Sequence, residues 1–280
     1  MRRIAFFKMH GLGNDFVVLD ARREPVAVDA EAARILADRR TGIGCDQLVL
    51  LEPPHLQTTA AVMRIFNADG SEAEACGNAT RCVAWLVAQE SGDNVVRLET
   101  AAGELLTELL ADGRVAVDMG APRTDWRDIP LAHEMDTLAV DLGAGPLSLP
   151  VCTSMGNPHA TFFVDDAEAV DLATLGPLLE HDRLFPQRAN IGVATIKNTE
   201  RIRLRVWERG AGITPACGTG ACAALVAAHR RGLCARQATV ALDGGELEIA
   251  WLDDEDAHVI MTGPAALTFE GSFDAALLGR

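Results

Sequence analysis

The sequence predicts an α+β protein of two pseudo-symmetric, sheet-rich domains, each a strongly curved sheet or barrel around a central helix. Three observations lead there. The chain carries a long-offset internal repeat, both halves hold short strand-like segments, and an apolar helix-like segment follows each of two Ala-Cys-Gly triplets.

The repeat needs no outside comparison. Ala61–Asn78 set over Ile202–Thr219 aligns without a gap at an offset of 141. Arg64/Arg205, Ala75/Ala216, Cys76/Cys217 and Gly77/Gly218 are identical, while Met63/Leu204, Ile65/Val206 and Phe66/Trp207 are close. At an offset of 143, Gly13-Asn14 pairs with Gly156-Asn157, and Gln47-Leu48-Val49 with Asn190-Ile191-Gly192. A period this long is no solenoid; it reads as a duplicated domain. The expected division is 1–118 plus 263–280, carrying Cys76, and 119–262, carrying Cys217. Gly263-Pro264 marks the return of the chain to the first half. The cleft between two such domains is the expected active site.

In chain order, Glu31–Asp38 reads as a helix and Val62–Phe66 as a strand, the latter rich in β-branched and aromatic residues. Asn78–Gln89 is a helix ended near Gly92. Val95–Glu99, Leu105–Leu109 and Val115–Met119 are short strands set apart by glycine turns. The second half gives a helix at Leu172–Glu180, a strand at Ile202–Trp207 and a helix at Thr219–Arg230, ended by Gly232. The two helices that follow the triplets are apolar around most of their girth, which suits burial inside a sheet.

Composition closes off several functions. The 280 residues are 49% hydrophobic with net charge −15, which argues against a broad nucleic-acid surface. The start, Met1 to Lys8, lacks the apolar run of a signal peptide, and no uncharged apolar stretch of about 18 residues suggests a membrane span. Seven cysteines, an odd number, read as reduced thiols in a cytoplasmic protein. No CxxC pair exists, so no metal site is expected. The only lysines are Lys8 and Lys197, which leaves little choice for the Schiff-base lysine of a pyridoxal-phosphate enzyme.

Each half thus reads strand, glycine-bearing loop, Cys-Gly, helix. A cysteine at a helix start feels the positive end of the dipole and is more readily a thiolate. The free amides of Gly77-Asn78 and Gly218-Thr219 can hold a carboxylate, and Asn78 and Thr219 are suited to cap their helices. Two such sites facing one substrate would set an α-carbon between two sulfurs, the arrangement for a racemisation in which one thiolate removes the α-proton and the opposite thiol returns one. No cofactor enters that scheme. The blander reading stays open, because a cysteine among apolar residues is commonly core and a repeated Cys-Gly is also what inherited packing would leave. Cys82, Cys152, Cys222 and Cys234 take the core reading, while Cys45, open to an exposed position, is assigned no role.

The motifs Lys8–Phe16, Gly42–Leu48, Phe66–Gly77, Met155–Ala160, Ala189–Gly192, Trp207–Gly212 and Ala216–Cys222 resemble, in order and over nearly the whole chain, the diaminopimelate epimerase family. The resemblance implies conversion of LL-2,6-diaminopimelate to the meso form in lysine and cell-wall precursor biosynthesis, without cofactor or metal, by a homodimer. Its fold and two-thiol logic are also similar to those of proline racemase. Carried over by position, Cys76 and Cys217 are the acid/base pair and His159 and Glu208 support them. Gly77, Asn78, Gly218 and Thr219 hold the reacting carboxylate. Asn14, Gln47, Asn67, Asn157, Asn190, Glu208 and Arg209 recognise the remaining amino and carboxyl groups. The chain departs from the pattern at Ile213, where many relatives have glutamate, at Ala79, where a second glycine is usual, and at Cys45.

The residues alone allow other readings. The asparagines sit beside glycine or turn residues, where asparagine is an ordinary turn-former. Glu208 reads by default as a surface ion pair, and His159 as a structural loop histidine. A proline or hydroxyproline racemase, a redox or metal-responsive dithiol protein and a non-enzymatic binding module are the competing functions.

Overall fold

The computed structural model of the chain describes residues 2–73 and 76–278, so Ala75 of the repeat lies outside the described residues. Contacts divide the backbone into two units, Met1–Val117 with Gly263–Arg280, and Asp118–Thr262. The elements begin with β1 (Arg3–Gly11), β2 (Asn14–Asp20), α1 (Ala30–Ala37), β3 (Gln47–Glu52), β4 (Ala61–Asn67) and β5 (Glu72–Ala73). Next come α2 (Gly77–Ser91), β6 (Val95–Thr100), β7 (Gly103–Leu109), β8 (Val115–Asp118), β9 (Gly143–Ala144), β10 (Leu147–Ser148), β11 (Val151–Ser154) and β12 (Pro158–Phe163). Then follow α3 (Leu172–Glu180), β13 (Asn190–Asn198), β14 (Arg201–Glu208), β15 (Gly212–Ile213) and α4 (Gly218–Arg230). The chain finishes with β16 (Gln237–Leu242), β17 (Gly245–Trp251), β18 (Val259–Gly263) and β19 (Ala266–Asp274).

The hydrogen-bond ladders repeat the sequence duplication. In the first unit the order is β19–β1–β2–β3–β4–β6–β7–β8, antiparallel except at β2–β3 and β4–β6. In the second it is β11–β12–β13–β14–β16–β17–β18, antiparallel except at β12–β13 and β14–β16. Register is copied as well. Phe16 opposite Gln47 answers to His159 opposite Asn190, and Leu48 opposite Phe66 answers to Ile191 opposite Trp207. Phe66 opposite Glu72 answers to Trp207 opposite Ile213. One hairpin differs by a residue: Gly11 faces Asn14, whereas Ser154 faces Pro158. Because side chains alternate faces along a strand, a shared register puts matching positions on the matching face of each sheet.

Each sheet curls around one helix. Helix α2 touches β1 and β2 toward one side of its ladder and β6 and β7 toward the other, and α4 touches β11 through β14, β16 and β17. A helix enclosed in this way has no polar face to spare. Ala221 to Ala228 are all buried, and alanine dominates this stretch because thin side chains let strands close in from several directions. The outer sheet faces take the remaining helices. Ala32, Ala33 and Leu36 of α1 pack with Leu48, Leu50 and Phe66, and Leu172 and Leu179 of α3 pack with Phe162, Ile191 and Val193. Asp29 caps α1 by accepting from the Ala32 amide at 2.9 Å, and Gly92 ends α2 in the left-handed region at φ 79°. No helix among the described residues is long and apolar enough to cross a membrane.

Candidate active site

Both repeated cysteines stand at the N-cap of the helix their sheet encloses. Cys76 precedes α2 with φ −148° and ψ 109°, and Cys217 precedes α4 with φ −116° and ψ 106°. The expectation that Asn78 and Thr219 cap these helices is corrected. The first turn already starts at the glycine: the amides of Thr80 and Ala221 bond the carbonyls of Cys76 and Cys217 at 2.9 and 3.0 Å. Asn78 and Thr219 therefore lie inside the first turn, and their side chains serve neighbouring groups. Each sulfur is followed directly by amides that lack a partner within the helix.

Around Cys76, the two-residue turn Leu12-Gly13 has both residues at positive φ, 56° and 85°, the geometry that joins antiparallel strands without slack. The turn sets Asn14 at the head of β2. The Asn14 Oδ1 lies 3.9 Å from the Cys76 Sγ, whose thiol can donate to it, and accepts from the Asn78 Nδ2 at 3.2 Å. Gln47 and Asn67 are register partners on β3 and β4, and the Gln47 Nε2 donates to the Asn67 Oδ1 at 2.9 Å. The other end of that amide, the Gln47 Oε1, is buried without a hydrogen-bond partner among the described residues, an acceptor suited to an ammonium. Gly77 is half-buried and Asn78 is buried.

Around Cys217, the surroundings are drier. The thiol is 3% exposed and lies 3.7 Å from the Thr219 hydroxyl. Burial pushes its pKa well above the ordinary thiol value, and the neighbouring Glu208 carboxylate pushes the same way. Bonds from the Thr219 hydroxyl and the Gly220 amide oppose this and lose. Desolvation thus works against the thiolate that the helix start favours. Glu208 is no surface ion pair. Burial raises its pKa, against hydrogen bonds from the Thr214 hydroxyl and the Cys217 thiol. A carboxyl and a thiol that both resist ionisation can exchange a proton with little change in charge.

His159 and Asn157 stand behind Thr219. The Asn157 Nδ2 donates to the Thr219 Oγ1 at 3.3 Å, and the Asn157 Oδ1 lies 2.9 Å from the His159 Nε2. Burial, with Arg209 nearby, holds the His159 pKa down to about 3, so the ring is neutral. Asn190 is buried and spends its amide on the protein, donating to the Pro158 carbonyl at 3.1 Å and accepting from the Arg209 amide at 2.9 Å. It brackets the backbone of the turn that carries Glu208 and Arg209. The exposed Arg209 side chain donates to the Gln187 carbonyl at 3.0 Å. Gly220 makes room for the sulfur: a Cβ there would sit 3.1 Å from the Cys217 Sγ.

The remaining cysteines are core residues. Cys82, Cys152, Cys222 and Cys234 are buried, and burial lifts the thiols of Cys82 and Cys152 to about 12 and that of Cys234 to about 11. Cys45, left without a role by its sequence, is 2% exposed and lifted to about 11, because it joins the packing of α1 against the sheet. Four functional neighbours escaped the sequence reading. Asp46 accepts from the Asn14 Nδ2 at 3.1 Å, and Arg81 donates to the Asn78 Oδ1 at 2.9 Å. Thr214 bonds Glu208, and Glu180 accepts from the Trp207 Nε1 at 2.7 Å and the Gly210 amide at 3.0 Å. The repeat held the signal for one of these, because Arg81 faces Cys222 across the 141 offset. No group of described residues has the make-up of a metal site.

Known proteins share this framework. The family model described as diaminopimelate epimerase matches residues 6–124 and 151–268. The chain belongs to the diaminopimelate epimerase family. Its relatives include the diaminopimelate epimerase of Rhodospirillum centenum, 63% identical over 98% of this chain and 93% of the relative. Another is that of Acidiphilium cryptum, 59% identical over 98% and 97%. Among solved structures, a probable proline racemase from Agrobacterium radiobacter K84 with bound carbonate superposes with a TM-score of 0.71 at 18% identity, covering 98% of this chain and 95% of that one. That likeness is one of fold alone.

Proposed function

We propose that this protein interconverts LL- and meso-2,6-diaminopimelate, acting as an isomerase of lysine and cell-wall precursor biosynthesis, with Cys76 and Cys217 as the two acid/base groups. The observation that carries the mechanism is the repeated placement of a cysteine at the N-cap of each enclosed helix.

The α-proton of an amino acid is a very weak acid, so the groups must favour the carbanion over the bound substrate. First-turn amides at Gly77-Asn78 and Gly218-Thr219 receive the charge that moves onto the carboxylate as the C–H bond breaks. One sulfur takes the proton from one face as a thiolate, and the other gives its own proton to the opposite face. Each turnover leaves the two sulfurs with exchanged protonation. Glu208, beside Cys217 and biased by burial toward its protonated form, takes and returns that thiol's proton. Asn14, Gln47, Asn67, Asn157, Glu208 and Arg209 sense the distant amino and carboxyl groups, and Asn190 serves them by holding the turn that carries Glu208 and Arg209. A mechanism that needs two free thiols suits a reducing compartment, so we assign the protein to the cytoplasm, and we assign it the homodimeric state.

The test is α-proton exchange in deuterated solvent with LL-diaminopimelate, with proline as the control substrate. Cys76→Ala and Cys217→Ala should each lower epimerisation at least about a thousandfold while the far-ultraviolet circular dichroism stays unchanged. Turnover by either variant within tenfold of the parent would reject the two-thiol scheme. Mild oxidation should link the peptides carrying Cys76 and Cys217 and abolish activity until reductant is added.

A further inference from the structure

The Cys76 half-site contains two side-chain amides in series whose ends meet ions of opposite kind. Arg81 is fully buried in α2. Its Nη2 donates to the Asn78 Oδ1 at 2.9 Å and its Nε to the Pro264 carbonyl at 3.1 Å. The Asn78 Nδ2 donates to the Asn14 Oδ1 at 3.2 Å, and the Asn14 Nδ2 donates to the Asp46 Oδ2 at 3.1 Å. A guanidinium can only donate and a carboxylate can only accept. The direction of every bond in the row is therefore set from both ends. Turning Asn14 alone would oppose two NH₂ groups at Asn78 and two oxygens at Asp46. Turning both amides would oppose NH₂ and guanidinium at Arg81.

We propose that Arg81 and Asp46 are positioning residues for Cys76. They hold Asn14 so that its carbonyl oxygen, and not its NH₂, is the atom facing the sulfur at 3.9 Å. The fold makes room for the device. A Cβ on Gly11 would lie 2.9 Å from the Arg81 Nη2, and Asp46 is itself held by Arg39 at 2.8 Å and by the Asp15 amide at 3.1 Å. The second unit lacks the lock. Asn157, the counterpart of Asn14, sits between a histidine ring nitrogen and a threonine hydroxyl, each able to donate or accept, and Cys222 occupies the place of Arg81. The Cys76 half-site thus has fixed hydrogen-bond polarity, and the Cys217 half-site has polarity free to reverse as protons move.

The consequence is a specific non-additivity, and it rests on Cys76 being an acid/base group. Either ion alone still disfavours the turned amide, and losing both frees it. In the epimerisation assay, Asp46→Ala and Arg81→Gln should each lower kcat about fivefold. The double variant should lose about 500-fold, beyond the ~25-fold of independent effects. Arg81→Lys keeps a donor-only group, so Asp46→Ala with Arg81→Lys should match Asp46→Ala alone. A double variant at or below the product of the singles, or no rescue by lysine, would overturn the proposal. Asp46 lies toward solvent, so its variant tests the lock even if Arg81→Gln does not fold. The Asn14 side-chain amide resonance in ¹⁵N-labelled protein should shift in Asp46→Ala, as its bond to Asp46 is lost, but stay a single sharp line, because Arg81 still sets its direction. An unchanged resonance overturns the proposal, and this readout needs no activity, so it stands apart from any failure of the epimerase reading.

Discussion

Acidification from pH 7 to pH 5 loads the second unit through one imidazole. His159 is 2% exposed, and burial with Arg209 nearby holds its folded pKa at about 3 against 6.5 for an ordinary histidine. Folding therefore excludes a proton that the unfolded chain accepts. The stability tied to the neutral ring is fully present above pH 6.5, is lost as pH falls below it, and levels off near pH 3. One proton excluded over the 1.5 units from 6.5 to 5 corresponds to about 2 kcal/mol at 1.36 kcal/mol per unit. Urea unfolding of the parent and of His159→Gln at pH 7, 6 and 5 isolates the ring, because the carboxylates titrate alike in both. The parent should lose about 2 kcal/mol more than the variant between pH 7 and pH 5. Parallel loss in the two proteins, or a His159 ring resonance titrating near 6.5 in the folded protein, would refute the reasoning.

Four further variants have expected outcomes. Gly220→Ala presses a Cβ to 3.1 Å from the Cys217 Sγ and 3.2 Å from a Val206 methyl, so epimerisation should fall more than tenfold with little change in fold, whereas Ala79→Gly should cost about 1 kcal/mol of stability and leave the chemistry intact. Thr214→Val removes a bond that favours the ionised Glu208, so the acid limb of the pH–rate profile should move to higher pH; a shift to lower pH would contradict the assignment. Glu180→Leu strands the Trp207 indole N–H and the Gly210 amide, which should cost about 2–4 kcal/mol in urea unfolding and raise KM through the loosened Glu208-Arg209 turn.

The two enclosed helices and the strands before them were legible because burial writes itself into composition. Ala221 to Ala228 hold no charge, and Ile65 and Val206 match at one offset because one ladder geometry serves both. The helix starts were misplaced by a residue at Asn78 and Thr219. Cap preference favours those side chains, but the glycines before them had already taken helical geometry. The raised thiol at Cys217 was also hidden. A sequence shows the helix end that favours a thiolate, but not the depth of burial or the carboxylate of Glu208 brought alongside by β14. Asp46, Arg81 and Glu180 were missed for a related reason. Each is a common surface residue type, and its role depends on which buried donor or acceptor it meets after folding.

The Leu12-Gly13 turn has a consequence for how this protein can change over time. Loops ordinarily absorb insertions and deletions, but here losing a single residue would slide β2 by one position. Asn14 and Asp15 would then trade sides of the sheet, and a carboxylate would arrive where an amide oxygen meets the sulfur of Cys76. Length variation in homologous chains should therefore gather elsewhere, and this tip should be among the least editable stretches of the molecule.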